Sequence, residues 1–130
     1  MRDIRLIGNV SWFEHLSPEE GEELAERSQY RDYEAGETVF TPTRRANSIY
    51  LLERGRARIY RVSRDGMETT FGYIVPGEVF GELAAFDHNV RESYAEAVDD
   101  LRVWKIPLDI FERLLAANSA VGFEIAKQVG

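Results

Sequence analysis

Cysteine is absent from this chain of 130 residues. That single absence removes disulfides, thiolate zinc sites, iron-sulfur clusters and thiol nucleophiles together. Histidine is nearly absent as well: His15 and His88 stand far apart and neither has a partner at ligand spacing, so no metal or haem centre is expected. No stretch approaches the roughly eighteen apolar residues of a membrane span, and the N-terminus MRDIRLIGNVSWFEHL breaks its apolar run with charge where a leader would have a continuous apolar segment. A soluble, cytoplasmic protein without membrane contact is the expectation. Basic residues are the minority, 16 against 23 acidic, for a net charge of −7. This balance opposes a phosphate-backbone-binding surface spread over the whole domain, so this piece alone is not expected to bind DNA. No Ser-His-Asp arrangement, phosphate-binding loop, paired-metal carboxylate set or dinucleotide fingerprint is present, so no catalytic residues are assigned.

The length is that of one domain, enough to bury about two-thirds of the surface the unfolded chain exposes. Ser17-Pro18-Glu19-Glu20 predicts a helix start, with Ser17 as N-cap, Pro18 at the first helical position and Glu20 closing a capping box. From Tyr33 to Ile106 the texture changes to short β-favouring runs, ETVF, SIYLLERG, ARIYRV, METTFGYIV, SYAEAV and LRVWKI, separated by glycine, proline or Asp-Gly turns. Arg64-Asp65-Gly66-Met67 reads as a hairpin turn. The spacing predicts a mainly β protein, an antiparallel roll or sandwich of jelly-roll type, with a short N-terminal helix and C-terminal helices. After Pro107, Leu108, Phe111, Leu114 and Leu115 share a helical face, and Val121, Ile125 and Val129 continue a second stripe. That last stripe is still helical in pattern at Gly130, which reads either as a helix packed on its own roll or as the start of a longer helix that pairs subunits or leads to another domain.

The chemically suggestive stretch is GEVFGELAAFDHNVRES, residues 77–93. Gly77 and Gly81 permit tight turns and close approach of a ligand, and Leu83-Ala84-Ala85-Phe86 can form a helical turn whose free N–H groups face an anion. Arg91 supplies a planar, permanently charged fork suited to phosphate oxygens. A carboxylate facing the phosphate would be repelled, so Glu82 must face hydroxyl groups, and the combination specifies a sugar phosphate. The alternative is that Gly81 serves only a turn and that Glu82 and Arg91 pair with each other. Arg44-Arg45, beside Thr41-Pro42-Thr43, reads as a solvated loop or an anion contact, and loop residue His88 as idle or a pH-dependent neighbour of the site. Trp12, Phe13, Trp104 and Phe123 read as core or as a partner surface.

FGELAAFDHNVR resembles the phosphate-binding cassette of the cyclic nucleotide-binding domain family, whose pattern runs Phe-Gly-Glu, an aliphatic residue, a small residue and a short loop to arginine. Gly36-Glu37, the run from Ser48 to Gly55, the Asp-Gly hairpin and Pro76-Gly-Glu-Val-Phe-Gly-Glu82 fall in the family's order, so the resemblance covers nearly the whole chain. The flanking helices are most similar to the sensor half of catabolite-activator and FNR-type bacterial transcription regulators. The resemblance implies no cofactor but a small-molecule effector, cAMP or another cyclic nucleotide. Glu82 would hold the ribose 2′-hydroxyl, the amides of Leu83 and Ala84, following Gly81, would meet the cyclic phosphate, and Arg91 would neutralise it. It also implies one effector domain over residues 1–130, a homodimer formed through the C-terminal helix, and DNA contact only through a C-terminal domain missing from this chain.

The sequence departs from the family after its arginine, where two small residues are usual and Glu92, Ser93 and Tyr94 stand here. A carboxylate about 6 Å from a phosphate costs on the order of 3 kcal/mol at an effective dielectric near 20. Pointed inward, Glu92 abolishes binding; if the chain is extended there, Glu92 and Tyr94 share one face and Arg91 and Ser93 the other, and Ser93 adds a hydroxyl to the site. Two other function classes stay open: a cassette kept as a non-nucleotide sensor or structural dimerisation module, and a small metal-dependent β-barrel enzyme of cupin type.

Overall fold

The structure is a computed structural model that describes residues 2–81 and 91–129. Helix α1 (Pro18–Arg27) begins with the reciprocal capping box expected of its sequence: the Glu20 N–H donates to the Ser17 hydroxyl at 3.1 Å, and the Ser17 N–H to the Glu20 carboxylate at 2.8 Å. Two short 3-10 turns precede it, Ile4–Leu6 and Ser11–His15, and the sequence pattern had not indicated them. Among the described residues eight strands follow: β1 (Gln29–Tyr33), β2 (Thr38–Phe40), β3 (Ser48–Arg54), β4 (Ala57–Val62), β5 (Glu68–Ile74), β6 (Val79–Phe80), β7 (Tyr94–Ala97) and β8 (Leu101–Pro107). Two helices follow the strands among the described residues, α2 (Leu108–Ala117) and α3 (Ser119–Val129).

The strands form two antiparallel four-stranded sheets, ordered β1-β8-β3-β6 and β2-β7-β4-β5. Their facing sides enclose one core, built from Phe40, Tyr50, Leu52, Phe80, Ala95 and Val103 among others. The first sheet has its other face covered too. Ile49, Leu51, Trp104 and Ile106 point away from the roll and meet the helices and the N-terminal turns through Trp12, Leu24, Phe111 and Ile125. This explains why Ser48–Leu52 reads as a nearly continuous apolar run: a strand covered on both faces has no polar side to alternate with.

Trp12 and Trp104 are therefore core residues, while Phe123 is exposed, with the Lys127 ammonium 4.8 Å from its ring centre. The expected hairpin joins β4 to β5: Gly66 takes φ +84°, and the Ser63 N–H donates to the Met67 carbonyl at 2.9 Å. Ile110, outside the predicted helical stripe, is buried along with Phe111 and Leu114.

A charge pair ties β1 to β8. The nearly buried Arg102 donates from Nε and Nη2 to the two oxygens of Asp32, at 2.6 and 2.8 Å, and this bonding holds the Asp32 carboxyl below its ordinary value of 3.8. A depressed folded-state pKa means the contribution is complete above the unfolded value and is lost as pH falls through the folded one. The thermal midpoint is expected to hold steady down to about pH 5 and to drop below about pH 4. In Asp32→Asn the acid limb becomes shallower; it does not vanish, because Asp3 and Asp65 are depressed in the same sense by Arg5 and Ser63. Thermal scans of both proteins across this range check it, and an acid limb unchanged by Asp32→Asn contradicts the assignment.

Candidate functional site

Strand β6 delivers the chain to Gly81, which sits at φ +77°, a conformation that favours glycine. At the far end of the same segment Arg91 is fixed by its backbone. It forms an isolated antiparallel bridge with Thr43, the Arg91 N–H donating to the Thr43 carbonyl at 2.6 Å and the Thr43 N–H to the Arg91 carbonyl at 2.7 Å. The side chain runs inward and is 7% exposed. Its guanidinium lies 4.4 Å from the ring centre of Phe40 and 5.4 Å from that of Tyr50, and its Nη2 donates to the Ser48 carbonyl. Phe40, Tyr50 and Phe80 are themselves mutually packed, with ring centres 5.3 to 6.0 Å apart. An always-charged group is thus held against aromatic faces, where the ring quadrupole offsets part of its desolvation.

Gly81 and Arg91 are brought together. A β-carbon added at Gly81 would stand 3.2 Å from Arg91 Nη2 and 3.3 Å from Phe40 Cε2, so the absence of a side chain there lets the backbone lie directly against the guanidinium. Above the Thr43 bridge is a cleft of about 390 Å³, lined by Pro42, Thr43, Arg44, Arg91 and Glu92. Arg44 is therefore beside Arg91. The Glu92 carboxylate is exposed at the cleft and pairs with Arg61 of β4 at 3.3 Å, so its charge is answered by a guanidinium that the sequence reading had not placed there. Tyr94 leaves the interior and stacks on Tyr60, ring centres 5.1 Å apart, while Ala95 and Ala97 are buried. Ser93, half-buried, is at the alternate register that Arg91 and Ala95 share.

Glu82, Leu83 and Ala84, the helical turn expected over residues 83–86, and His88 lie outside the described residues. Sequence reasoning missed the inner contacts of Arg91 with Phe40, Ser48 and Tyr50. Phe40 lies in β2 and Ser48 and Tyr50 in β3, and no spacing rule joins them to position 91. Among the described residues no group of three or more His, Asp or Glu side chains is arranged to hold a metal ion, and no helix is long and apolar enough to cross a membrane.

The model of the family described as cyclic nucleotide-binding domain matches residues 30–118. The chain belongs to the cyclic nucleotide-binding domain family. The cyclic AMP receptor protein of Thermus thermophilus is 34% identical over 88 residues, covering 68% of this chain and 41% of that protein. A CRP-like cAMP-activated global transcriptional regulator of Mycobacterium tuberculosis is 24% identical over 122 residues, covering 94% of this chain and 54% of the relative. The chain thus spans about half the length of the curated relatives it matches. Among solved structures, the sensor domain of the transcriptional regulator DNR from Pseudomonas aeruginosa superposes with a TM-score of 0.79 at 25% identity, over 91% of this chain and 79% of that one. The two four-stranded sheets with flanking helices are the β-roll of this family, and the chain is similar to its domains in CRP-like and DNR-type transcription regulators.

Proposed function

We propose that this domain is the effector-sensing part of a transcription regulator and that it binds a cyclic nucleotide or a related small anionic metabolite. The observation that carries the reading is the position of Arg91. Its guanidinium lies against Gly81, and the adjacent carboxylate of Glu92 is engaged by Arg61, so the repulsion that Glu92 would exert on a ligand phosphate is reduced. In this reading Arg91 neutralises the phosphate, the amides of Leu83 and Ala84 meet its oxygens, Glu82 accepts from a ribose hydroxyl, and Ser93 adds a donor. Occupancy shifts the population of the cassette and the following helices toward the arrangement that a homodimer, paired through its C-terminal helix, needs to contact DNA through a further domain.

A second reading rests on the inward contacts of the same side chain: Arg91 is retained as architecture, pinning residues 40–50 through Phe40, Tyr50 and Ser48, and the domain senses something else or serves dimerisation. Calorimetric titration with cyclic AMP and then cyclic GMP separates the two. Binding is expected to weaken well beyond tenfold in Arg91→Ala and also in Glu82→Ala. Ligand at a hundred times its Kd should raise stability by about 2.7 kcal/mol. The second variant matters because Arg91→Ala also removes the donor to a buried carbonyl and lowers stability by itself. An affinity unchanged in Glu82→Ala, or no heat and no thermal stabilisation at millimolar ligand, overturns the nucleotide reading.

A further inference from the structure

The chain's charge is unevenly placed. Residues 54–64 hold five arginines and no acidic residue, and only Asp65 and Glu68 are added up to residue 75, in a chain whose net charge is −7. This stretch runs from the last residue of β3 through the β4–β5 hairpin, and among the described residues β5 is an edge strand that pairs only with β4. The same hairpin and the residue after it carry five of the eight exposed large hydrophobic side chains among the described residues: Val62, Met67, Phe71, Tyr73 and Val75. Met67 is 67% exposed and Phe71 59%. Arginine and apolar groups interleave. The Arg56 guanidinium lies 5.0 Å from the Tyr73 ring centre and that of Arg61 4.8 Å from the Phe71 ring centre.

These arginines are not all spent on internal pairing. Arg58 is, being bonded to both Glu68 and Glu96 at 2.7 Å. Arg56 and Arg64 have no carboxylate within ion-pair distance among the described residues. A guanidinium stacked on an exposed ring presents its edge donors outward, a geometry that meets a carboxylate in two parallel hydrogen bonds. An exposed apolar patch of this kind at a sheet edge marks an interaction surface.

We propose that the β4–β5 hairpin is a docking surface for an acidic protein segment that also carries apolar side chains. Its carboxylates meet Arg56 and Arg64, and its apolar side chains cover Met67 and Phe71. A nucleic acid fits less well: the rest of the chain is strongly acidic and repels a polyanion longer than the hairpin, and Val62, Met67 and Val75 match aliphatic side chains better than stacked bases.

The test is an amide-resolved NMR titration of the isotope-labelled chain with a short synthetic peptide of alternating glutamate and valine. Shifts confined to residues 56–75 are expected, with affinity falling as salt is raised and falling about tenfold in Arg56→Glu/Arg64→Glu and in Met67→Ser/Phe71→Ser. All four positions are exposed, so both variants keep the fold. The proposal is overturned by any of four results: no shifts at millimolar peptide, equal binding of an alternating lysine-valine peptide, affinity unchanged in both variants, or the same shifts produced by a DNA oligonucleotide instead. Concentration-dependent shifts without peptide overturn it in favour of a second copy of this chain. None of these outcomes depends on whether the cleft beside Arg91 binds a nucleotide.

Discussion

Gly55→Ala is expected to unfold about 10 °C below the parent protein, the fall that a loss of roughly 3 kcal/mol gives in a domain of this size. Two effects combine. Gly55, between β3 and β4, has φ +90°, which an L-residue adopts only at a cost of about 1–2 kcal/mol. A β-carbon there would also stand 2.4 Å from the Asp100 carbonyl oxygen and 2.7 Å from Leu101 Cδ2. The first of these is backbone, at the start of a strand paired with two others, so it cannot yield cheaply. Gly36 isolates the first effect: its φ is +91°, yet nothing lies within 4 Å of the added carbon. Gly36→Ala should therefore lose only the conformational part, about 1–2 kcal/mol. Scanning calorimetry of the two variants decides it, and equal midpoints would show that the contact with residues 100–101 costs nothing.

Phe111→Ala should cost about 3–5 kcal/mol, at the upper end for a buried aromatic. Phe111 is fully buried on α2 and meets Trp12 edge-on, ring centres 6.2 Å apart. Its site is bordered by β3, β8 and the N-terminal turns, elements that cannot all collapse inward together. Urea denaturation should show the midpoint falling with little change in slope. The near-ultraviolet circular dichroism of Trp12 should weaken in the native state. A loss under about 1.5 kcal/mol, the size of a conservative core swap, would mean the helical layer repacks.

How much of this was legible in the sequence depends on how local the cause is. The capping box of α1 and the Asp-Gly hairpin are decided within a few residues, and both were readable. Strand β1, QYRDY, was not: four of its five residues are exposed and only Tyr33 is buried, so its place beside β8 comes from backbone pairing and the Asp32–Arg102 bridge instead of from alternation. The two residues of β6 are too few to show any period. At the candidate site, the extended-chain alternation that separates Arg91 and Ser93 from Glu92 and Tyr94 was foreseeable as one of two cases. Which case holds depended on Arg61, 31 residues earlier, and no local rule names that partner. The burial of Arg91 among Phe40, Tyr50 and Ser48 likewise required the closed roll.

The shared wall between the two cores has a kinetic meaning. Strands β3 and β8 send alternate side chains to opposite sides, Leu51 and Trp104 toward the helices, Leu52 and Val103 into the roll. The helical layer can therefore detach while the backbone ladder between these strands stays closed. Hydrogen exchange should resolve two opening events, a low-energy one that exposes the amides of α2 and α3 and a global one required for β3 and β8. The central strands of this two-sided sheet are expected to exchange last.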